Sequence, residues 1–236
     1  MTKIERLRAL VAQSSAVIFD FDNVIVDSEP YHFESYRRVF SRRGHELDRA
    51  EYWLEWTSRG GGAESEIRRH SLPLDPNEIR AEKDPIYAAF CRSGEIAPFP
   101  DALGIIDALG AMGLTLAIAS GSYERDIRAI LAANGLEERF ALVVGKDTIK
   151  RYKPHPDTYL LAAERLGIAP ERCLAIEDAE KGVLSARAAR MHVILIETEI
   201  TRDLGIEGAD LACSSLAELR SMLEEIVGGA RRNERR

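Results

Sequence analysis

Apolar residues follow two rhythms along this chain. Short continuous runs occur at Ala16-Val17-Ile18-Phe19, Leu114–Ala119, Leu142-Val143-Val144, Cys173–Ile176 and His192–Ile196. Such runs are too short for helices and suit strands buried on both faces. Between them the apolar residues are spaced as in helices, over 101–113, 124–133, 156–166, 181–190 and 216–227, with stops at Gly113, Asn134-Gly135 and Gly167. Asp101 is placed to cap the first of these. Ile4, Leu7, Leu10 and Val11 predict a short amphipathic helix ahead of the first strand, and Leu211-Ala212-Cys213 a last edge strand.

Pro30 to Glu95 contains no strand-like run. Helical spacing returns after Pro30 and again over 48–56, 63–70 and 76–91, broken at Arg59-Gly60-Gly61-Gly62 and at Leu72-Pro73-Leu74-Asp75-Pro76. Strands alternating with helices of about ten residues predict right-handed βαβ units and a parallel sheet. The chain therefore reads as a discontinuous α/β core of 1–29 and 97–236, with an all-helical insert of 30–96. The polar, basic stretch 228–236 is expected to be a disordered tail.

Charge narrows the partners. With 32 basic and 39 acidic residues the net charge is −7, which disfavours a broad nucleic-acid or anionic-membrane surface but permits a small anionic substrate at a locally positive site. Cys91, Cys173 and Cys213 are scattered without metal or disulfide spacing and read as reduced thiols. Met1–Ser15 has no apolar stretch of the signal-peptide kind and no run spans a membrane, so a cytoplasmic protein is expected.

Candidate chemistry gathers at four predicted strand ends. The first carries Asp20 and Asp22, two acids one residue apart that repel unless a proton, a hydrogen bond or a divalent cation compensates. The second carries Ser120-Gly121, a hydroxyl and accessible backbone N–H groups suited to phosphoryl oxygens. Lys153, before Pro154, offers a fixed positive charge for phosphate. Glu177-Asp178 offers hard oxygen ligands for Mg²⁺. Singly, each has a plain explanation: a turn, a solvated helix lead-in, a helix N-cap pair. Their succession along the sheet is the signal, because open α/β sheets place ligands at the carboxyl ends of strands.

Asp20-Phe21-Asp22-Asn23-Val24, Ala119-Ser120-Gly121-Ser122, Tyr152-Lys153-Pro154-His155-Pro156-Asp157 and Ile176-Glu177-Asp178-Ala179 together resemble the haloacid dehalogenase superfamily, phosphotransferase branch. The similarity is to its β-phosphoglucomutase-like and phosphoglycolate phosphatase-like members, and runs from about Ala16 to Val227. It implies a Rossmann-like three-layer core with a central parallel sheet, plus a small all-α cap domain inserted after strand 1. It implies Asp20 as nucleophile, forming an aspartyl-phosphate, and Asp22 as general acid and then base. Mg²⁺ would be held by Asp20, the Asp22 backbone carbonyl and Asp178, with Glu177 adjacent or acting through water. Ser120, Gly121 and Lys153 would bind the phosphoryl group. Family members usually have Gly at the Asn23 position; Asn tolerates the left-handed backbone such a turn requires. Ala189-Arg190-Met191 stands where Ala-Gly-Met is common.

In the insert, Glu29-Pro30-Tyr31-His32-Phe33 resembles the hinge segment of these enzymes, with His32 near the general acid. Ser58-Arg59 resembles part of the Lys-Gly-x-Ser-Arg segment by which the mutases grip a second phosphate, but the Lys is absent. His32 and Arg59 are therefore the substrate-facing candidates. Lys83, the only lysine of the insert, is expected to be exposed, which disfavours a Schiff-base enzyme. The reading favoured is a Mg²⁺-dependent phosphatase of a small phosphorylated metabolite, a sugar phosphate, in a monomer or small homo-oligomer. The alternatives are a β-phosphoglucomutase-type mutase and a catalytically weak binding protein of the same fold.

Overall fold

The computed structural model describes residues 1–58, 61–198 and 201–233, the side chains of 57, 58 and 230–233 excepted. In chain order its elements are α1 (Lys3–Gln13), β1 (Ala16–Phe19), α2 (Glu29–Arg42), α3 (Arg49–Tyr52), α4 (Gly62–Arg69), α5 (Pro76–Ser93), α6 (Pro100–Ala111), β2 (Thr115–Ala119), α7 (Glu124–Ala133), β3 (Leu142–Val144), α8 (Asp157–Leu166), β4 (Cys173–Glu177), α9 (Glu180–Ala188), β5 (His192–Ile196), β6 (Leu211–Cys213) and α10 (Leu216–Asn233). They divide into two compact units, Met1–Asp27 with Ala97–Arg236, and Ser28–Ile96.

The first unit is built on one parallel sheet in the order β3-β2-β1-β4-β5-β6. β1 is central: Val17 lies between Leu116 of β2 and Leu174 of β4. All four β1 residues are buried, so the run is continuously apolar rather than alternating. On one face α8 and α9 bring Tyr159, Ala162, Ala163, Val183 and Ala186 against Ile18, Ala117, Ala175 and Val193. α6 packs on α10 and β2, and α1 on α10 and β6, completing the Rossmann-like three-layer arrangement. α1 opens on a capping box: Thr2 Oγ1 accepts from Glu5 N–H, and Glu5 Oε2 accepts from Thr2 N–H at 2.7 Å. Among the described residues, no helix is long and apolar enough to cross a membrane.

Three core expectations change. α6 begins at Pro100 with Phe99 as its N-cap, so Asp101 lies inside the first turn and caps nothing. Pro100 pre-sets the helical φ there, which starts the helix without a side-chain cap. α9 spans Glu180–Ala188, starting one residue earlier and ending two earlier than expected, because Arg190 turns left-handed at φ 62. The stretch expected to be a disordered tail is helical from 228 to Asn233, with 234–236 outside the described residues. Adding residues to an existing helix needs no new nucleus, so a polar segment can continue one.

The second unit is helical. α2 and α5 pack together, and the core is aromatic: Phe40, Tyr52 and Trp56 are buried with Val39, Leu47, Ala63 and Ile79. Tyr52 donates its hydroxyl proton to Glu29 Oε1 at 2.5 Å, and Tyr31 to the Glu95 carbonyl at 2.6 Å. The single helix expected over 48–56 is instead α3, capped by Asp48, running into a π-helical segment, Trp53–Ser58. Lys83 is buried, against expectation. Its ammonium lies 4.2 Å from the Tyr87 ring centre and 5.3 Å from that of Tyr36, so ring faces supply part of its stabilisation.

Candidate active site

β1 and β4 are neighbours, while β2, the strand next in sequence to β1, lies on its other side. This is the switch point where open α/β sheets leave a crevice at the carboxyl edge. Asp20 follows β1 there, its N–H donating to the Ile176 carbonyl at 2.9 Å. The next residues fold back tightly. Ile25 N–H donates to the Phe21 carbonyl and Asn23 N–H to the Val26 carbonyl, both at 2.9 Å. Phe21, Val24, Ile25 and Val26 are buried and anchor the loop. The turn needs a left-handed residue, and Asn23 supplies it at φ 60.

Three further segments converge on Asp20, from the ends of β2 and β4 and from the loop between β3 and α8, where Lys153 lies nine residues beyond the strand end at which the sequence placed it. Lys153 is buried, and its ammonium donates to Asp20 Oδ1 at 2.5 Å, Glu177 Oε1 at 2.6 Å and the Ala119 carbonyl at 2.9 Å. Those bonds use all three of its protons. Glu177 Oε1 also accepts from the Tyr159 hydroxyl at 2.6 Å, and Nζ of Lys153 sits 4.9 Å from that ring centre. Asp178 is buried at the end of β4. Asp22 Oδ2 accepts from Ser122 Oγ at 2.6 Å and Ser120 Oγ at 3.2 Å, while Ser120 Oγ accepts from Ser122 N–H at 3.0 Å.

The plain explanations of the motifs fail on these contacts. Lys153 is not a solvated lead-in. The N-cap of α9 is Ala179, with no side-chain cap, so Glu177-Asp178 is not a capping pair. Ser120 is fully buried. Of the residues expected in the site, Asp20, Asp22, Ser120, Lys153, Glu177 and Asp178 are brought together. Gly121 follows at an exposed position where an added Cβ would meet nothing within 4 Å, so crowding does not require glycine there. His32 stacks on Tyr87 in the helical unit, ring centres 3.8 Å apart. Arg59 lies outside the described residues.

Sequence reasoning missed Ser122, Tyr159 and Gly182. Gly182 sits in the first turn of α9, where an added Cβ would overlap the Glu177 carboxylate. A glycine within a helical pattern was the available signal. Tyr159 carried no signal, because which side of α8 meets Glu177 is decided by packing.

The electrostatics favour a cation. Asp20, Glu177 and Asp178 offer carboxylate oxygens within 4.8 Å of one another. Burial pushes the Asp20 carboxyl up to about 7; Lys153 pulls it down, and Glu177 and Asp22 raise it further. Burial, then Asp20 and Glu177, hold Asp178 well above the usual carboxylate range. Burial opposes the charge on Lys153, but Asp20 and Glu177 outweigh it and keep its pKa raised. One buried ammonium is thus set among more acids than it can neutralise, and the donors are hard oxygens. That set fits a divalent metal ion.

Comparison with known proteins agrees with this geometry. The sequence profile of haloacid dehalogenase-like hydrolases matches residues 15–190. The chain belongs to that family. Among similar haloacid dehalogenase-like proteins, fructose-1-phosphate phosphatase YqaB of Escherichia coli (strain K12) is 34% identical over 182 residues, 76% of this chain and 95% of that protein. Protein CbbY of Rhodobacter capsulatus is 30% identical over 205 residues, 83% of this chain and 90% of that one. The crystal structure of CbbY from Rhodobacter sphaeroides in complex with phosphate superposes with a TM-score of 0.75 at 28% identity, over 89% of this chain and 99% of that one. This haloacid dehalogenase-like hydrolase therefore spans nearly the full length of the relatives it matches.

Proposed function

We propose that the protein is a Mg²⁺-dependent phosphoric monoester hydrolase that removes phosphate from a small sugar phosphate through an aspartyl-phosphate on Asp20. The observation that carries this reading is the Asp20 carboxylate, fixed by Lys153 at the switch point beside the Glu177-Asp178 pair. The relative named a fructose-1-phosphate phosphatase and the phosphate complex of CbbY support the substrate class.

In this reading a carboxylate oxygen of Asp20 bonds to phosphorus while the ester oxygen leaves with a proton from Asp22. Asp22 then takes a proton from water, which attacks phosphorus, frees phosphate and restores Asp20. Ser120 and Ser122 orient Asp22 for both steps. Lys153 keeps Asp20 aimed and offsets the charge that accumulates on the phosphoryl oxygens. Asp20, Asp178 and the Asp22 carbonyl would hold Mg²⁺, which would supply the remaining charge screening when bound. Glu177, tied to Lys153 and Tyr159, orients the ammonium. The left-handed turn survives at Asn23, which favours an active enzyme over a weak binder of the same fold. The stretch 57–62 lacks the mutase lysine, which favours water over a sugar as acceptor.

The test is phosphate release from a panel with fructose 1-phosphate, β-glucose 1-phosphate and p-nitrophenyl phosphate, with Mg²⁺ and with EDTA. Release is expected to need the metal and to fall about 10⁴-fold or more in Asp20→Asn. Turnover that ignores EDTA, or that survives in Asp20→Asn, removes the reading. Glucose 6-phosphate formed from β-glucose 1-phosphate with a bisphosphate primer, in place of free phosphate, makes the protein a mutase.

A further inference from the structure

The helical unit holds a second group of metal-ligating side chains that the proposed reaction does not use. Glu66 and His70 lie one turn apart at α4, and His45 reaches them from the loop after α2. Glu66 Oε1 is 2.7 Å from His45 Nε2 and 3.5 Å from His70 Nε2. His70 Nε2 is also 3.2 Å from Glu51 Oε1 and 3.3 Å from Oε2, and the two imidazole centres are 4.8 Å apart. We propose that His45, His70 and Glu66, with Glu51 as fourth ligand, form a zinc-type transition-metal site in the helical unit.

Spacing, charge and support each point that way. A tetrahedral site with bonds of about 2.0–2.1 Å has ligand–ligand edges of about 3.3 Å. The separations of 2.7, 3.2 and 3.5 Å bracket that edge. Two imidazole nitrogens with carboxylate oxygens select zinc-like ions over Mg²⁺. Glu51 and Glu66 share one guanidinium, Arg69, and add two carboxylates to the two imidazoles, a donor set whose negative charge a divalent ion offsets.

Outer partners orient the least exposed ligand. Glu66 is buried, and its Oε2 accepts from the Trp56 indole N–H at 3.3 Å and from Arg69 at 2.5 Å, turning Oε1 toward the histidines. His70 is 37% exposed, which gives an ion a path in. A coordinating Nε2 must be unprotonated, so binding releases any proton it carries.

The test uses the full chain, stripped with EDTA and returned to excess Mg²⁺ so that the strand-end carboxylates hold a hard ion. Zn²⁺ alone is then titrated by calorimetry, with Co²⁺ in parallel for its visible spectrum. One Zn²⁺ per chain is expected, with a Co²⁺ spectrum of nitrogen-containing tetrahedral type. His70→Gln and His45→Gln are each expected to weaken binding about 100-fold or more, the upper end of what loss of an outer partner costs. Asp178→Asn should keep this zinc. Exposed His70 can be replaced without emptying the core, and melting of the metal-free variant checks its fold. No uptake, equal uptake by wild type and both histidine variants, or uptake lost in Asp178→Asn overturns the proposal. The group is then a proton-bridged hydrogen-bond network.

Discussion

The strand-end cluster of the core and the α4 cluster of the helical unit solve one problem in two ways. Each buries a glutamate, Glu177 in one and Glu66 in the other, and each sets it against cations. In the core the partners are far apart in sequence: Asp20 follows β1 and Glu177 ends β4, held by neighbouring strands in register, and Lys153 reaches them from the loop between β3 and α8. The helical cluster draws on residues between His45 and His70, held by side-chain packing among short helices. The core ammonium makes three aligned hydrogen bonds. Nε and Nη1 of Arg69 are buried without a hydrogen-bond partner among the described residues, although Nη1 lies 3.1 Å from Glu55 Oε2. A sheet edge therefore fixes charged groups more completely than short helices do, and substitutions should differ accordingly.

Lys153→Met gives the largest effect. It leaves Asp20 and Glu177 buried without their cation, and a broken buried pair costs about 3–5 kcal/mol. At about 2–4 °C per kcal/mol for a chain of this size, the melting temperature should drop by on the order of 10 °C, with phosphate release lost. A variant that melts like wild type would show that the core cluster is no better fixed than the helical one.

Gly182→Ala comes next. Its Cβ must displace the Glu177 carboxylate, an overpacking that costs about 1–3 kcal/mol. Because Glu177 orients Lys153, kcat should fall at least about tenfold while substrate KM changes less. Equal kcat in the two proteins would mean Glu177 does not position the ammonium.

Arg69→Met, the same kind of change in the helical unit, should cost only about 1–2 kcal/mol. The guanidinium is 25% exposed and already imperfectly bonded. A thermal melt beside Lys153→Met tests the comparison directly, and a loss as large as that of Lys153→Met breaks it.

Arg190→Gly should act in the opposite direction. Arg190 holds φ 62, where a side chain costs about 1 kcal/mol, and among the described residues its ion pair is an exposed one with Glu171 at 3.3 Å. The variant should melt about 2–4 °C higher. An unchanged or lower melting temperature would mean the left-handed turn after α9 is unstrained.

Much of the core was legible beforehand, because a buried parallel strand must be a continuous apolar run and its polar groups can appear only where it ends. That logic found β1, β3, β5 and β6 with their observed bounds, and Asp20, Lys153 and Asp178 as one group. It could not find Tyr159, Gly182 or Ser122, nor the π-helical segment after α3. Those depend on which way a helix is rotated and which hydroxyl lies nearest an acid. Lys83 shows the same limit: a lysine beside Asp84-Pro85 reads as exposed, and only the placement of Tyr36 and Tyr87 hides it.

By itself, then, the sequence determined the order of strands and helices, the family, and which acids stand at strand ends. Those features follow from local apolar runs and from residues adjacent in the chain. The tertiary structure alone decided that Lys153 spends every proton on Asp20, Glu177 and Ala119, and that two histidines and two glutamates meet beside α4. Hydrogen bonds and ligand geometry depend on atoms a few ångströms apart, and packing sets those distances between segments that the chain itself leaves far from one another.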